Sequence, residues 1–515
     1  MSPAADGPFV GLKAKKLNDP GHSVGNRASG KQVFRFETFG NERFWTEAMR
    51  MPQGMMKEKV TILMALKEGL MIDIEMVDPI TRANLERELK TDLSPRNAPT
   101  LHDPKATLKV LNANAFAGLV TVDSNRDGRR RVESGDKLGV ACAICHTITD
   151  KSVFDLPGGG SVGRRIDGPA NWNLNMGPLL ATAANSLAYY PNLQLELGGK
   201  TAGRAPRGLS AVASEAEVDA YLKNPRFYPR GTFDDSSDGV GNPIANVAFF
   251  RTDLAAPWGS SALNNVLDHI ANGSYTVNLD MTTLATPEGL KHLTMASPKA
   301  GPELWRNYVA ILKRTGVRGY PYVKAKMIPT GVGKPATPTG RQVDKSKLFD
   351  LNAYTDSLPA PKGAVVDMAS FARGREVFRQ ECTSCHNVDQ SKPVPPIIVD
   401  VRKLDPGYRP SVLARRKAPL SPIQNSQGTF DDRAVVEDAS GRGEKRGFSM
   451  PLLLDLARKP FFLHDVSVTS LESLLNQARG AKSPHPFYIR DEARRNDVVT
   501  FLKGLDTGTQ NGRMK

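Results

Sequence analysis

Six residues of this chain stand in a spacing that does chemistry. Cys142, Cys145 and His146 read as CAICH, and Cys382, Cys385 and His386 read as CTSCH. The two copies use all four cysteines of the chain. C-x-x-C-H is the attachment signature of c-type haem. Two thiols add to the two vinyl groups, and the next histidine is held against the iron as proximal ligand. A thioredoxin-like dithiol needs no histidine after the second cysteine and would sit in a βαβ pattern, which is not seen. A zinc site would have to join two pairs about 240 residues apart, and neither has a nearby HxxxH-type partner. The pattern therefore predicts two covalent haems c.

What the irons do depends on their other axial position. A six-coordinate haem carries electrons, and a five-coordinate one can bind peroxide or oxygen. The remaining histidines are His22, His102, His269, His292, His464 and His485. For the first haem the candidates are Met176, in NWNLNMGPLL, and His269, in NNVLDHI; an open position is the alternative. For the second haem they are His485, in SPHPFYI, and Met450, in GFSMPLLL. His464, in KPFFLHDVSVTSL, is a candidate catalytic imidazole, with Asp465 beside it. A lone histidine is by default a structural residue, and a methionine is by default core packing. DSNRDGRRRVES opens like a calcium loop with Asp123, Asn125, Asp127 and Gly128, but its twelfth position is Ser134 where a bidentate Glu belongs. Calcium is a weak second cofactor expectation. Trp172 follows the first motif and fits either a relay between the haems or simple packing.

These groups need helices and loops to hold them. The 515 residues suggest two to four domains. Residues 1–110 read as a helical N-terminal extension, with aromatics at helical spacing in FRFETFGNERFWTEAM and Thr38 and Asn41 as caps. Residues 111–345 read as a first haem domain with long insertions, ending in a Pro/Gly/Lys-rich linker from Thr315 to Lys347. Residues 346–515 read as a second haem domain, entered by the helix FARGREVFRQ and closed by DEARRNDVVTFLKGL. GTFDD recurs at Gly231 and Gly428, each copy downstream of its own motif, as expected of tandem related units. Strand signal is weak, so the fold class expected is mostly α: two tandem cytochrome c-like domains with long loops. No apolar run reaches the length of a membrane span. Net charge is +15 with a pI near 9.5, spread over scattered clusters. Scattered clusters read first as solvated loops, and the sharper reading is an electrostatic face that steers an acidic redox partner; no nucleic acid is expected. The N-terminus has no apolar h-region. Because haem c is attached outside the bacterial cytoplasm, a periplasmic or exported protein whose signal has been removed is expected.

Two CxxCH units with PFFLHDVSVTSLESLL after the second resemble the bacterial di-haem cytochrome c peroxidase superfamily. That superfamily includes the methylamine-utilisation di-haem enzyme and the di-haem rubber oxygenases. FRFETFGNERFW resembles N-terminal sequence of the longer, rubber-oxygenase-like branch. The resemblance implies a reactive first haem, a relay second haem, and a peroxide or organic substrate. Three positions depart from it. Ala478 stands near the place of a Met or Tyr ligand, Val466 replaces the Gly after His-Asp, and GGSVGRRIDG lacks the histidine that caps the first haem. Two rival readings remain: a pure electron-transfer cytochrome with both irons six-coordinate, and a haem subunit of a larger redox complex.

Overall fold

The computed structural model describes residues 9–11, 25–201, 207–234, 239, 241, 243–252, 267–334, 337–382, 386, 397–400, 447–449, 451–463, 466, 468–480, 485 and 487–506. The chain is mixed rather than mostly α: 45 % is helical, and small sheets tie the helices together. Most strands are two to four residues long, too short for an alternating pattern to show in the sequence.

Helices begin where the chain supplies a capping oxygen. The first, α1 (Arg27–Phe36), is capped by Asn26, whose side chain accepts from the Ser29 amide. The aromatic stretch expected as one helix breaks after α1. Phe39 and Gly40 take positive φ, and a π-helical turn follows at Phe44–Ala48. Asn41 does not cap a helix; its amide pairs with both backbone groups of Val140. Next come α2 (Met51–Lys57), α3 (Ile62–Lys67), α4 (Pro79–Glu88) and α5 (Pro104–Asn112). The middle of the chain adds α6 (Met176–Leu180), α7 (Glu215–Leu222), α8 (Leu267–Gly273), α9 (Pro287–Ala296) and α10 (Gly301–Arg314). The last four are α11 (Lys345–Ser357), α12 (Met368–Glu381), α13 (Leu471–Leu474) and α14 (Glu492–Gly504).

The stretch expected as a linker is largely an antiparallel hairpin, Lys326–Lys334 with Thr337–Gln342. A register shift lies between Met327 and Val332, and Gly340 takes φ +71°. Glycine there marks an irregular strand, not a flexible tether. The hairpin is docked: the Asn272 side chain bonds the Arg341 carbonyl and the Val343 amide.

A continuous apolar core runs from Phe44 to Tyr322, so residues on both sides of position 110 share one interior. A second core joins α12, α13 and α14 through Phe371, Phe378, Leu471, Val498 and Phe501. A smaller cluster of Ala170, Trp172, Ala245, Phe461 and Val466 lies between them. Among the described residues no helix is long and apolar enough to cross a membrane.

Candidate functional site

The first motif forms a single 3-10 turn, Cys142–Ile144, and its thiols point into two packing clusters. Cys142 Sγ lies 3.4 Å from the Tyr275 hydroxyl, which donates to the Glu37 carbonyl at 3.0 Å. Burial pushes the Cys142 thiol up to about 11 and the Cys145 thiol up to about 12. Left as they are, these are inert thiols, not a redox dithiol poised as thiolate.

The segment Asp167–Trp172 wraps the motif. The Gly168 amide donates to the His146 carbonyl and the Asn171 amide to the Cys145 carbonyl, both at 2.8 Å. Asp167 gathers three groups: Arg35 Nε at 2.6 Å, the Tyr354 hydroxyl at 2.7 Å and Thr147 Oγ1 at 3.1 Å. Thus α1, α11 and the residue after His146 are held at one buried carboxylate.

His146 is buried, and burial lowers its imidazolium to about 4, opposed by a bond to Val247. Its Nδ1 lies 2.7 Å from the Val247 carbonyl oxygen. A carbonyl only accepts, so Nδ1 carries the proton and Nε2 keeps its lone pair. This is the second-shell arrangement that orients a metal-ligating imidazole. Phe249 stacks on the ring at 4.0 Å with planes 4° apart. Met176 opens α6 and His269 lies on α8.

In the second motif Cys382 ends α12, and the His386 amide donates to its carbonyl at 2.9 Å. Cys385, Met450, His464 and Asp465 lie outside the described residues. The rings of His386 and His485 are 6.2 Å apart, inclined at 51°. Burial lowers His386 to about 4 and His485 to about 3, the latter also through His386 and Arg479. Both Nδ1 atoms are buried without a hydrogen-bond partner among the described residues. Two paired, buried imidazoles without partners cost stability unless something occupies them. Phe378 stands at the same 6.2 Å from His386, inclined at 45°, so three rings pack together here and two of them are imidazoles. His485 also takes φ +55°, a strained conformation for a residue held between two prolines.

Trp172 sits at the seam of the two cores. Its Nε1 donates to the Asn246 carbonyl at 2.9 Å. The Arg458 guanidinium lies 4.3 Å above the ring, and Phe461 meets it edge-on at 6.4 Å. Gly231, the glycine of the first GTFDD, has no room for a Cβ, which would lie 2.5 Å from the Trp172 carbonyl oxygen and 2.8 Å from the Phe461 ring. The second GTFDD lies outside the described residues. In the calcium-like loop, Asp127 bonds the Arg129 amide and Arg131, and Asp123 bonds the amides of Asp127 and Gly128. No group of three or more metal-ligating side chains forms among the described residues.

The sequence-predicted residues that the structure brings together are His386 with His485, and His146 with the segment carrying Trp172. Sequence reasoning missed Val247, Phe249 and Asp167, which carry no motif. Comparison with protein-family models and with curated proteins gave no match.

Proposed function

We propose that the chain is a di-haem c-type oxidoreductase with two unlike haem sites. The two complete CxxCH motifs, with a second buried imidazole, His485, beside His386, carry this reading. Cys142, Cys145 and His146 would hold one group; Cys382, Cys385, His386 and His485 would hold the other. When bound, the two groups supply one-electron redox chemistry, with potential set by axial ligand and burial. Val247 holds His146 in the ligating tautomer, and Phe249 fixes its plane. Tandem cytochrome c-like units, a periplasmic or exported location and an acidic redox partner are part of the same proposal.

With His386 and His485 both available to hold its group, the second site would be the electron carrier. The first is where peroxide or an organic substrate would react, as the family resemblance implies. Trp172 contacts Arg458 and Phe461 across the seam, which places an aromatic between the parts of the chain bearing each motif. The test is carbon monoxide binding to the reduced holoprotein. Wild type is expected to bind one equivalent per two haems, and His485→Ala to bind two. Absence of covalent haem after maturation refutes the whole reading. Unchanged stoichiometry in His485→Ala refutes the bis-histidine assignment. No binding in wild type shifts the function to pure electron transfer.

A further inference from the structure

Between Leu304 and Val343 the chain carries eight basic residues and no acidic one. Lys313 and Arg314 close α10, where cations complement the negative end of the helix. Arg318, Lys324 and Lys326 lie beyond its last turn, where that effect has died away. Lys313, Arg318, Lys324 and Lys326 are exposed, and their side chains form no hydrogen bond or ion pair among the described residues. Two more cations reach the same stretch from the segment before α2. The Arg43 guanidinium lies 4.6 Å over the Tyr322 ring, and Arg50 donates to the Thr315 carbonyl. Glu47 is committed to Arg43 at 2.9 Å, and the buried Asp280 to the amides of Tyr322 and Val323 at 2.6 and 2.8 Å. The face is left with positive charge that no carboxylate among the described residues answers.

Val309, Lys313, Val317, Arg318, Gly319 and Tyr320 line an open groove on this face. Two exposed cations thus share a groove with two valines and a tyrosine. A second copy of this chain would bring a charge of +15 against the face, and a nucleic-acid backbone offers nothing to the valines. Carboxylates that flank an aliphatic side chain answer both parts of the groove. We propose that this face docks an acidic segment of a partner protein, with an aliphatic residue among its carboxylates seated in the groove. The place bears on function. The Lys324 amide donates to the Phe39 carbonyl at 2.6 Å, the Phe39 ring meets Tyr275 edge-on at 4.6 Å, and the Tyr275 hydroxyl lies 3.4 Å from Cys142 Sγ. Three contacts therefore link the docked partner's seat to the first motif. That the partner is a redox protein rests on the function proposed above; the docking does not.

The test uses the full chain as purified and three fluorescent peptides of equal length: glutamates around a central leucine, the same with glutamine for the leucine, and glutamines around the leucine. Binding is read by anisotropy at low and at physiological salt. The first peptide is expected to bind most tightly and to weaken as salt rises. Loss of its leucine should cost about 3- to 10-fold, and loss of its carboxylates should abolish binding. Lys313→Glu with Arg318→Glu should weaken the first peptide at least about tenfold. Lys362→Glu with Arg490→Glu reverses as much charge at two exposed residues beside the second core, and should leave the affinity within about twofold. No binding of the first peptide, equal weakening by both double variants, or an unchanged affinity without the leucine overturns the proposal. Tighter binding of single-stranded DNA of equal charge gives the face to nucleic acid and overturns it too. Covalent haem content, read separately by mass, decides the function proposed above and enters none of these outcomes.

Discussion

Val466 is a β-branched residue at φ +56°, in the left-handed region that glycine tolerates and valine does not. It stands where the resembled family has glycine, and it is fully buried against the Trp172 seam. Two effects compete there. Left-handed backbone costs a residue with a Cβ about 1–2 kcal/mol. Burial of the valine side chain stabilises by about 1.5–3 kcal/mol. Packing wins, which is how valine is held. Val466→Ala removes two methyls and keeps the strain, for a loss of about 2 kcal/mol. Val466→Gly gives up one more methyl, about 0.8 kcal/mol, and about 0.5–1 kcal/mol of chain entropy, but recovers the strain. The two variants should therefore unfold within about 0.5 kcal/mol of each other. At an ordinary buried site glycine would trail alanine by about 1.5 kcal/mol. The assay is urea unfolding of the holoprotein, with midpoints compared at constant slope. Val466→Gly lying more than about 1.5 kcal/mol below Val466→Ala refutes the strain argument.

Burial pushes the Lys459 ammonium down to about 8, Asp455 opposing. An unfolded lysine titrates near 10.4, so between the two values the unfolded chain holds more protons and stability rises with pH. Lys459→Met should gain about 1–3 kcal/mol below pH 8, with that gain gone above about pH 10.5; a pH-independent gain sinks the idea. Asp167→Asn breaks the pair with Arg35, whose side chain is 18 % exposed and can reach water, and should cost about 1–3 kcal/mol by urea unfolding, mostly from the lost charge-assisted hydrogen bonds to the buried carboxylate; an unchanged midpoint refutes it. Gly374→Ala would set a Cβ 1.9 Å from the Asp497 carbonyl oxygen, between α12 and α14, and should lower the thermal midpoint by the equivalent of at least about 2 kcal/mol; an unchanged midpoint means that the helices are not so closely seated.

The parts legible in the sequence were local. CxxCH is written within five residues, and the amphipathic pattern of FARGREVFRQ marks the helix that enters the second motif, although its start at Met368 and its Asp367 cap were not read. His485 was readable as one of two candidates for the second site, beside Met450, with nothing in the sequence to choose between them. What fixes the first imidazole was not readable. Val247 and Phe249 approach His146 from about 100 residues away, on a stretch with no regular period. The hairpin at Lys326–Gln342 was mistaken for a tether because Gly and Pro mark irregular strands as well as loops.

The unlike treatment of the two motif histidines bears on function more than the motifs themselves. Both follow a CxxC pair, and burial holds both neutral. His146 has its Nδ1 proton committed to a backbone carbonyl, which raises the basicity of the opposite nitrogen and leaves the rest of its coordination to the surroundings. His386 has no such bond among the described residues and faces a second imidazole instead. Under the proposed division of labour this difference would separate a reacting haem from a relaying one; in a pure electron carrier it would set two different potentials, so carbon monoxide stoichiometry decides between them. The two parts are in contact through Arg458: the guanidinium donates to the Ala170 carbonyl at 2.9 Å, covers Trp172, and is itself held by Asp455 at 2.6 Å. A single side chain thus ties the segment wrapped around the first motif to the loop that precedes the second imidazole.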